Sequence, residues 1–221
     1  MLTQRIVATY CQIGMDIKTS TSNNQLKDAI ALFDQQLSEL KEYHPTGPIH
    51  EQLNKISSLW IPMKKIATAT VNRTQAAKLR LLAEDVLRNS HRVVILLQDE
   101  SGSQADRLVN IAGRQRMLSQ RMSNLYMLKS WGFSSSEYSF DYSTAINEFK
   151  GALSELAASP LNTPQINAAL VKANKQFKIL QRTLSTKEKE AFPLIVKLSA
   201  DKLLGQMNDI THMYEDVSSS S

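Results

Sequence analysis

Arg114, Arg116 and Arg121 stand within a single short stretch, Asn110-Ile111-Ala112-Gly113-Arg114-Gln115-Arg116-Met117-Leu118-Ser119-Gln120-Arg121-Met122, and no Asp or Glu occurs from Arg107 to Ser136. A guanidinium is charged at every ordinary pH and presents a planar fork that suits carboxylate, phosphate and other flat oxyanions. Like charges at helical spacing repel by about 0.2–0.5 kcal/mol per pair, so the stretch needs negative charge from elsewhere. Acids on a neighbouring helix or a bound anion can supply it. Gly113, lacking a Cβ, lets a ligand or a second helix approach the backbone closely.

The surrounding pattern predicts that these residues ride on one amphipathic helix over 104–131. Leu108, Ile111, Gln115, Leu118, Met122 and Leu125 alternate spacings of three and four and form the stripe that faces the core, with Gln115 its polar exception. Arg114 and Arg121 fall about 60° to 80° to one side of that stripe, in line with Arg107, where acids of neighbouring helices can reach them. Arg116 lies about 140° away and shares the opposite face with Val109, Gly113, Gln120 and Ser123. That face is small and polar with one cation at its centre. Arg116 is therefore the leading ligand for a small anion, with Gly113, Gln120, Arg114 and Arg121 completing the candidate set. Two copies of this helix meeting across a twofold axis would bring both Arg116 side chains together around one anion, which makes a homodimer through helix 104–131 an expectation.

The chain repeats itself. Shifted by 116 positions, Met1-Leu2-Thr3-Gln4-Arg5 falls on Met117-Leu118-Ser119-Gln120-Arg121, and Ala29-Ile30, Phe33, Leu37, Ser38, Glu39 and Leu40 fall on Ala145-Ile146, Phe149, Leu153, Ser154, Glu155 and Leu156. Leu82, Asp85, Leu87 and Val94 fall on Leu198, Asp201, Leu203 and Ile210; with one residue inserted, Leu53 and Trp60 meet Leu170 and Phe177. So long a period marks a duplicated domain rather than a stacked repeat array. The expected fold is all-α: two tandem antiparallel helical bundles of about four helices each, residues 1–101 and 102–221, joined by a long or hinged helix at Glu100-Ser101-Gly102-Ser103-Gln104. Helices are expected over 1–19, 23–43, 48–71 and 74–100, then over 104–131, 141–158, 163–184 and 187–217. The intervening breaks fall near Thr19 to Asn24, at His44 to Pro48 and near Asn72-Arg73. Gly132, Pro160 and the Thr163-Pro164 pair punctuate the second unit, Ser218 to Ser221 reads as a frayed tail, and Pro62 and Pro193 are expected to kink the helices that contain them.

Composition narrows the functional classes. The 221 residues include only 7 Gly and 6 Pro, with 42% apolar and 21% charged side chains, as in a helical globular protein. A net charge of +5 is dispersed among acids without an aromatic-interleaved basic patch, which argues against nucleic acid as partner. The longest aliphatic run, Val93 to Leu97, is far short of the roughly 20 residues a membrane-spanning helix needs. Met1 to Arg5 has no secretory-signal pattern, so the chain is read either as cytoplasmic or as one whose signal or anchor is missing, with Met1 a native start or a boundary. Cys11, the one cysteine, rules out an internal disulfide framework and reads as a small buried apolar side chain. His44, His50, His91 and His212 lack metal-ligand spacing, so no metal site is expected. Asp85, His91, Asp201 and His212 are isolated polar positions with no nucleophile or acid–base pair beside them; neither a catalytic residue nor a cofactor is expected, and the chain is read as no enzyme. Tyr126, Trp131 and Trp60 read as core or helix-end packing.

Asn110-Ile-Ala-Gly-Arg-Gln-Arg-Met-Leu-Ser-Gln-Arg121 resembles the signature of the PilJ-type sensor domain of type IV pilus methyl-accepting transducers, and is similar to the P-box of the nitrate/nitrite sensor kinases NarX and NarQ. The likeness is confined to this dozen residues, and the recurrence at Met1 to Arg5, followed by Ile6-Val7-Ala8, fits a family that carries tandem copies. The nitrate-sensor resemblance implies antiparallel four-helix bundles whose P-box helices pair in a homodimer and hold nitrate between symmetry-related arginines. By position the ligating arginine falls on Arg116 and the close-approach glycine on Gly113. The sequence departs from the nitrate P-box at Arg114-Gln115 and at Leu118-Ser119-Gln120, and the first unit starts after the point where its own Gly and Arg would stand. The implied function is a periplasmic or otherwise extracytoplasmic sensor of a small anion such as nitrate or nitrite, relaying to a signalling partner or to a C-terminal region missing from this chain. The alternative is a docking module whose arginines neutralise a pilin or another helical protein.

Overall fold

The computed structural model describes residues 1–44, 46–101, 103–134, 136–185 and 192–219, and among these it contains eight helices and no strand. They are α1 (Leu2–Gly14), α2 (Thr19–Tyr43), α3 (Gly47–Ala67), α4 (Arg73–Ser101), α5 (Gln104–Ser130), α6 (Ser136–Ala157), α7 (Pro164–Ser185) and α8 (Phe192–Ser219). The all-α expectation holds. The chain divides into two compact units, Leu2–Glu100 and Ser101–Ser221 together with Met1.

In the first unit α1 packs on α2 and α3, and α2 on α3. Two polar links tie α4 to the rest: Gln4 Nε2 donates to Glu84 Oε1 at 3.2 Å, and Gln52 Nε2 donates to Asn89 Oδ1 at 2.5 Å. Ile6, Val7, Tyr10, Leu53, Met63 and Leu79 are fully buried and form the core. In the second unit α5 packs on α6 and α8, and α7 closes the bundle against α6 and α8. Leu118, Met122, Leu128, Phe149, Leu156 and Tyr214 fill its interior. One aromatic pair recurs in both cores. Phe33 lies 4.1 Å from Trp60 between ring centroids, and Phe149 stacks on Phe177 at 4.5 Å, the positions that the repeat sets in register.

Several helix ends differ from the sequence expectation, each for a local reason. α1 stops at Gly14, and α2 begins at Thr19 rather than 23. Asp16 takes the left-handed conformation at φ 57°, Ile17 N–H donates to Gln12 O at 2.9 Å and Asp16 N–H to Ile13 O at 3.1 Å. This pair of bonds is a Schellman stop, with aspartate in the place usually held by glycine. α3 passes through Pro62 and ends at Ala67, short of 71. Asn72 then caps α4, its Oδ1 accepting from Gln75 N–H at 2.9 Å, while its own N–H donates to the buried Tyr10 hydroxyl at 3.1 Å. α6 starts five residues earlier than expected, at Ser136, with Glu137 in the first turn where the helix dipole favours an acid. Thr163 caps α7 through Oγ1 to Ile166 N–H at 3.2 Å. Pro193 is the second described residue of α8, and the preceding turn, on which the kink expected there depends, lies outside the described residues. Residues 186–191, where that helix was expected to begin, lie outside the described residues, as do Gly102 in the joint and Ser220 and Ser221 in the tail.

Candidate functional site

α5 starts at a Ser103 cap whose Oγ accepts from Asp106 N–H at 3.4 Å. It ends in a second Schellman stop, where Gly132 is left-handed at φ 87° and Phe133 N–H donates to Leu128 O at 3.0 Å. Between these ends the arginines separate into two groups.

Arg107, Arg114 and Arg121 run along one edge and meet α6. Arg107 pairs with Glu155, Arg114 Nη2 with Glu148 Oε2 at 2.7 Å, and Arg121 Nη2 with Asp141 Oδ1 at 3.6 Å. Each step of seven along α5 is matched by a step of seven backwards along α6, as two antiparallel helices with facing heptads require. The charge missing between Arg107 and Ser136 is thus supplied by the next helix. Arg114 and Arg121, two of the five residues read from the sequence as a ligand set, already hold carboxylate partners.

Arg116 and Gln120 face α8. Arg116 Nη1 donates to the neutral Asn208 Oδ1 at 2.8 Å, and its Nε is buried without a hydrogen-bond partner. Burial of the guanidinium draws its pKa below the ordinary arginine value, and the Glu215 carboxylate opposes that shift. Gly113 lies beside it: a Cβ built there would sit 3.6 Å from Arg116 Nη2, an ordinary contact. Gln120, buried, donates from Nε2 to Asp201 Oδ1 at 3.3 Å, and Asp201 also receives Lys197 Nζ at 2.6 Å. Met117 to Gln120 and Met122 to Leu125 are all buried, so over these turns α5 shows no exposed face. A second copy of the chain would have to meet helix 104–131 outside them. Arg116 differs from the edge arginines in its partner: it is a cation in a half-buried seam held by a neutral amide, and its unused Nε is matched by that of the carboxylate-paired Arg121.

The family model described as the type IV pili methyl-accepting chemotaxis transducer N-terminal domain, PilJ, matches residues 1–86 and 98–212. The chain belongs to the PilJ family. Its two matched segments make it a tandem pair of PilJ domains. No curated protein and no solved structure matches the chain significantly. PilJ domains are signal-transducing parts of chemotaxis transducers rather than catalytic ones, and in transducers they are typically periplasmic. No helix among the described residues of this PilJ chain is long and apolar enough to cross a membrane. Its other polar candidates have structural partners: Asp85 pairs with Arg88, and His212 Nδ1 lies 2.6 Å from Glu215 Oε2. Cys11 is fully buried, and burial raises its thiol well above the usual range. Trp60 donates from Nε1 to Asp34 Oδ1 at 2.7 Å within its aromatic pair.

Sequence reasoning missed Asn208 and Glu215, which surround Arg116. Both lie 92 or more residues away on a helix whose polar face carries no distinguishing pattern. The acids of α6 had a signal in principle, since Asp141, Glu148 and Glu155 repeat the seven-residue spacing of the arginines.

Proposed function

We propose that the second unit is a sensor for a small flat anion, which binds at Arg116 in the seam between α5 and α8. The observation that carries this reading is the contrast among the arginines of α5. Arg107, Arg114 and Arg121 each meet a carboxylate, whereas the partner of Arg116 is the neutral Asn208; its Nε is buried without an acceptor, as is that of Arg121, so the missing carboxylate is what sets Arg116 apart. A buried donor left unmade costs about 1–3 kcal/mol, which an arriving acceptor recovers. Nε and Nη2 form the edge of the guanidinium that takes two oxygens of a planar anion in parallel. The resemblance of the Gly113 to Arg121 stretch to the nitrate-sensor P-box points to nitrate or nitrite as the first ligands to examine. An anion here would draw on contacts from both α5 and α8, so its binding favours one packing of that pair over another. A shift between packed helices, passed to a signalling partner from a periplasmic domain, is the corresponding output.

The test is a thermal-shift series of the full chain against millimolar nitrate, nitrite, phosphate, sulfate and small carboxylates at matched ionic strength, beside Arg116→Ala. A ligand that binds only the folded state at a hundredfold excess over Kd stabilises by about 2.7 kcal/mol. The expected result is stabilisation by one anion class that vanishes in Arg116→Ala. No selective shift in either protein overturns the reading and favours a docking module for a helical or pilin partner.

A further inference from the structure

About 14 to 20 Å along α5 from Arg116, at the opposite end of the helix from its Ser103 cap, the second unit carries a half-open pocket of about 470 Å³ that the anion reading does not use. Its walls come from three places. α5 contributes Leu125, Tyr126 and Lys129 from one turn; the Schellman stop at Gly132 folds Phe133 back over the helix end; and the first turns of α6 contribute Tyr138, Ser139 and Tyr142, with Leu184 closing the far side from α7.

The chemistry of the lining is specific. Four aromatic rings, Tyr126, Phe133, Tyr138 and Tyr142, give flat apolar faces against which a planar ring stacks. Lys129, exposed at the mouth, is the one charged residue of the lining, and none of the ion pairs among the described residues includes it. The Tyr126 hydroxyl is engaged by Ser130. The Tyr142 hydroxyl is not engaged: it is shielded from solvent and has no hydrogen-bond partner. Burial, with Tyr126 adding to it, raises the Tyr142 phenol far above its usual range, so it remains an O–H donor in want of an acceptor. A cationic ligand would be repelled by Lys129, and a small inorganic anion would leave the aromatic walls unfilled. The volume lies within the range of small-molecule sites, where an apolar enclosure with a few convergent polar groups fixes the orientation of the ligand.

We propose that this cavity binds a small aromatic carboxylate, its ring held between the tyrosine and phenylalanine faces and its carboxylate accepting from Lys129 Nζ and the Tyr142 hydroxyl. The site is separate from Arg116 and does not depend on it.

The experiment is isothermal titration of the full chain with phenylacetate, benzylamine, acetate and nitrate, repeated on Lys129→Gln, Tyr142→Phe and Arg116→Ala, each checked for retained helicity and cooperative melting. The expected result is saturable binding of phenylacetate, weakened on the order of tenfold by Lys129→Gln and several-fold by Tyr142→Phe, since each change removes a hydrogen bond to a charged acceptor. Arg116→Ala should leave phenylacetate binding unchanged, and neither benzylamine nor acetate should compete with it. Absence of phenylacetate binding at 298 K up to about a hundredfold excess over a millimolar Kd overturns the proposal, as does equal affinity in Lys129→Gln, or loss of binding in Arg116→Ala with retention in both cavity variants.

Discussion

Two arginines three residues apart or fewer can carry the same charge and do different work, because burial and partners decide what the charge is for. Arg114 and Arg116 show this: the first closes an ion pair with Glu148 at 2.7 Å, and the second rests on Asn208 with an unused donor. The α6 ladder also grades by exposure. Arg107 and Glu155 are 52% and 43% exposed, whereas Arg121 and Asp141 are 14% and 19% exposed. Exposed pairs contribute about 0.5 kcal/mol or less, while removing one member of a shielded pair leaves a charge without its partner. Urea denaturation should therefore show Asp141→Asn losing about 1–2 kcal/mol and Glu155→Gln changing by no more than about 0.5 kcal/mol; equal losses would contradict this ranking. Gly113 offers a second check. Its Cβ position is in ordinary contact with Arg116 Nη2 and φ there is helical, so Gly113→Ala should raise stability by about 0.5–1 kcal/mol. A net loss in the same denaturation series would show that the glycine is needed for a closer approach than the structure contains.

At the level of helices, both α1 and α5 end in the same hydrogen-bonded stop, one built on Asp16 and one on Gly132. The glycine was legible as an end of α5 from its position alone, because glycine is the usual left-handed residue there. Asp16 was not, since an aspartate after Met15 looks like one more polar position of a continuing helix, and the break was expected several residues later. The left-handed geometry makes a prediction at α5: Gly132→Ala should cost about 1–2 kcal/mol by the strain of placing a Cβ at φ 87°, read as a lowered urea midpoint with unchanged m. A neutral result would mean that the α5 stop unwinds at little cost. The facing heptads of α5 and α6 were half legible. The arginine spacing was plain, but assigning its partners required knowing which helix lies alongside, information that sits in the packing and not in either segment.

For the molecule as a whole, the repeat carried the most information. It placed Phe33 opposite Phe149 and Trp60 opposite Phe177, and these become matching aromatic pairs in the two cores. The surroundings of Arg116 were illegible because Asn208 and Glu215 arrive from the last helix. Of the pocket tyrosines, Tyr126 reads from the sequence as packing and Tyr138 and Tyr142 carry no signal, because aromatic residues near helix ends ordinarily serve packing. Burial gives the folded chain a pH signature. Cys11, Tyr10, Tyr126, Tyr142 and Tyr214 are all raised above their ordinary values, Tyr214 to about 12. A raised acid binds its proton more tightly folded than unfolded, so the stability it contributes is complete below the unfolded pKa, about 8.5 for the thiol and about 10 for a phenol. That stability is lost as pH rises from there through the folded values. The melting temperature should fall steadily above about pH 9, and a flat profile to pH 11 would contradict the burial of these groups. The central claim, that Arg116 and not its neighbours is the anion ligand, is tested most directly by calorimetric titration of nitrate into the wild-type chain, Arg116→Ala and Arg114→Ala at fixed ionic strength. The account predicts binding to the wild type and to Arg114→Ala but not to Arg116→Ala; binding that survives in Arg116→Ala, or is absent from all three, would contradict it.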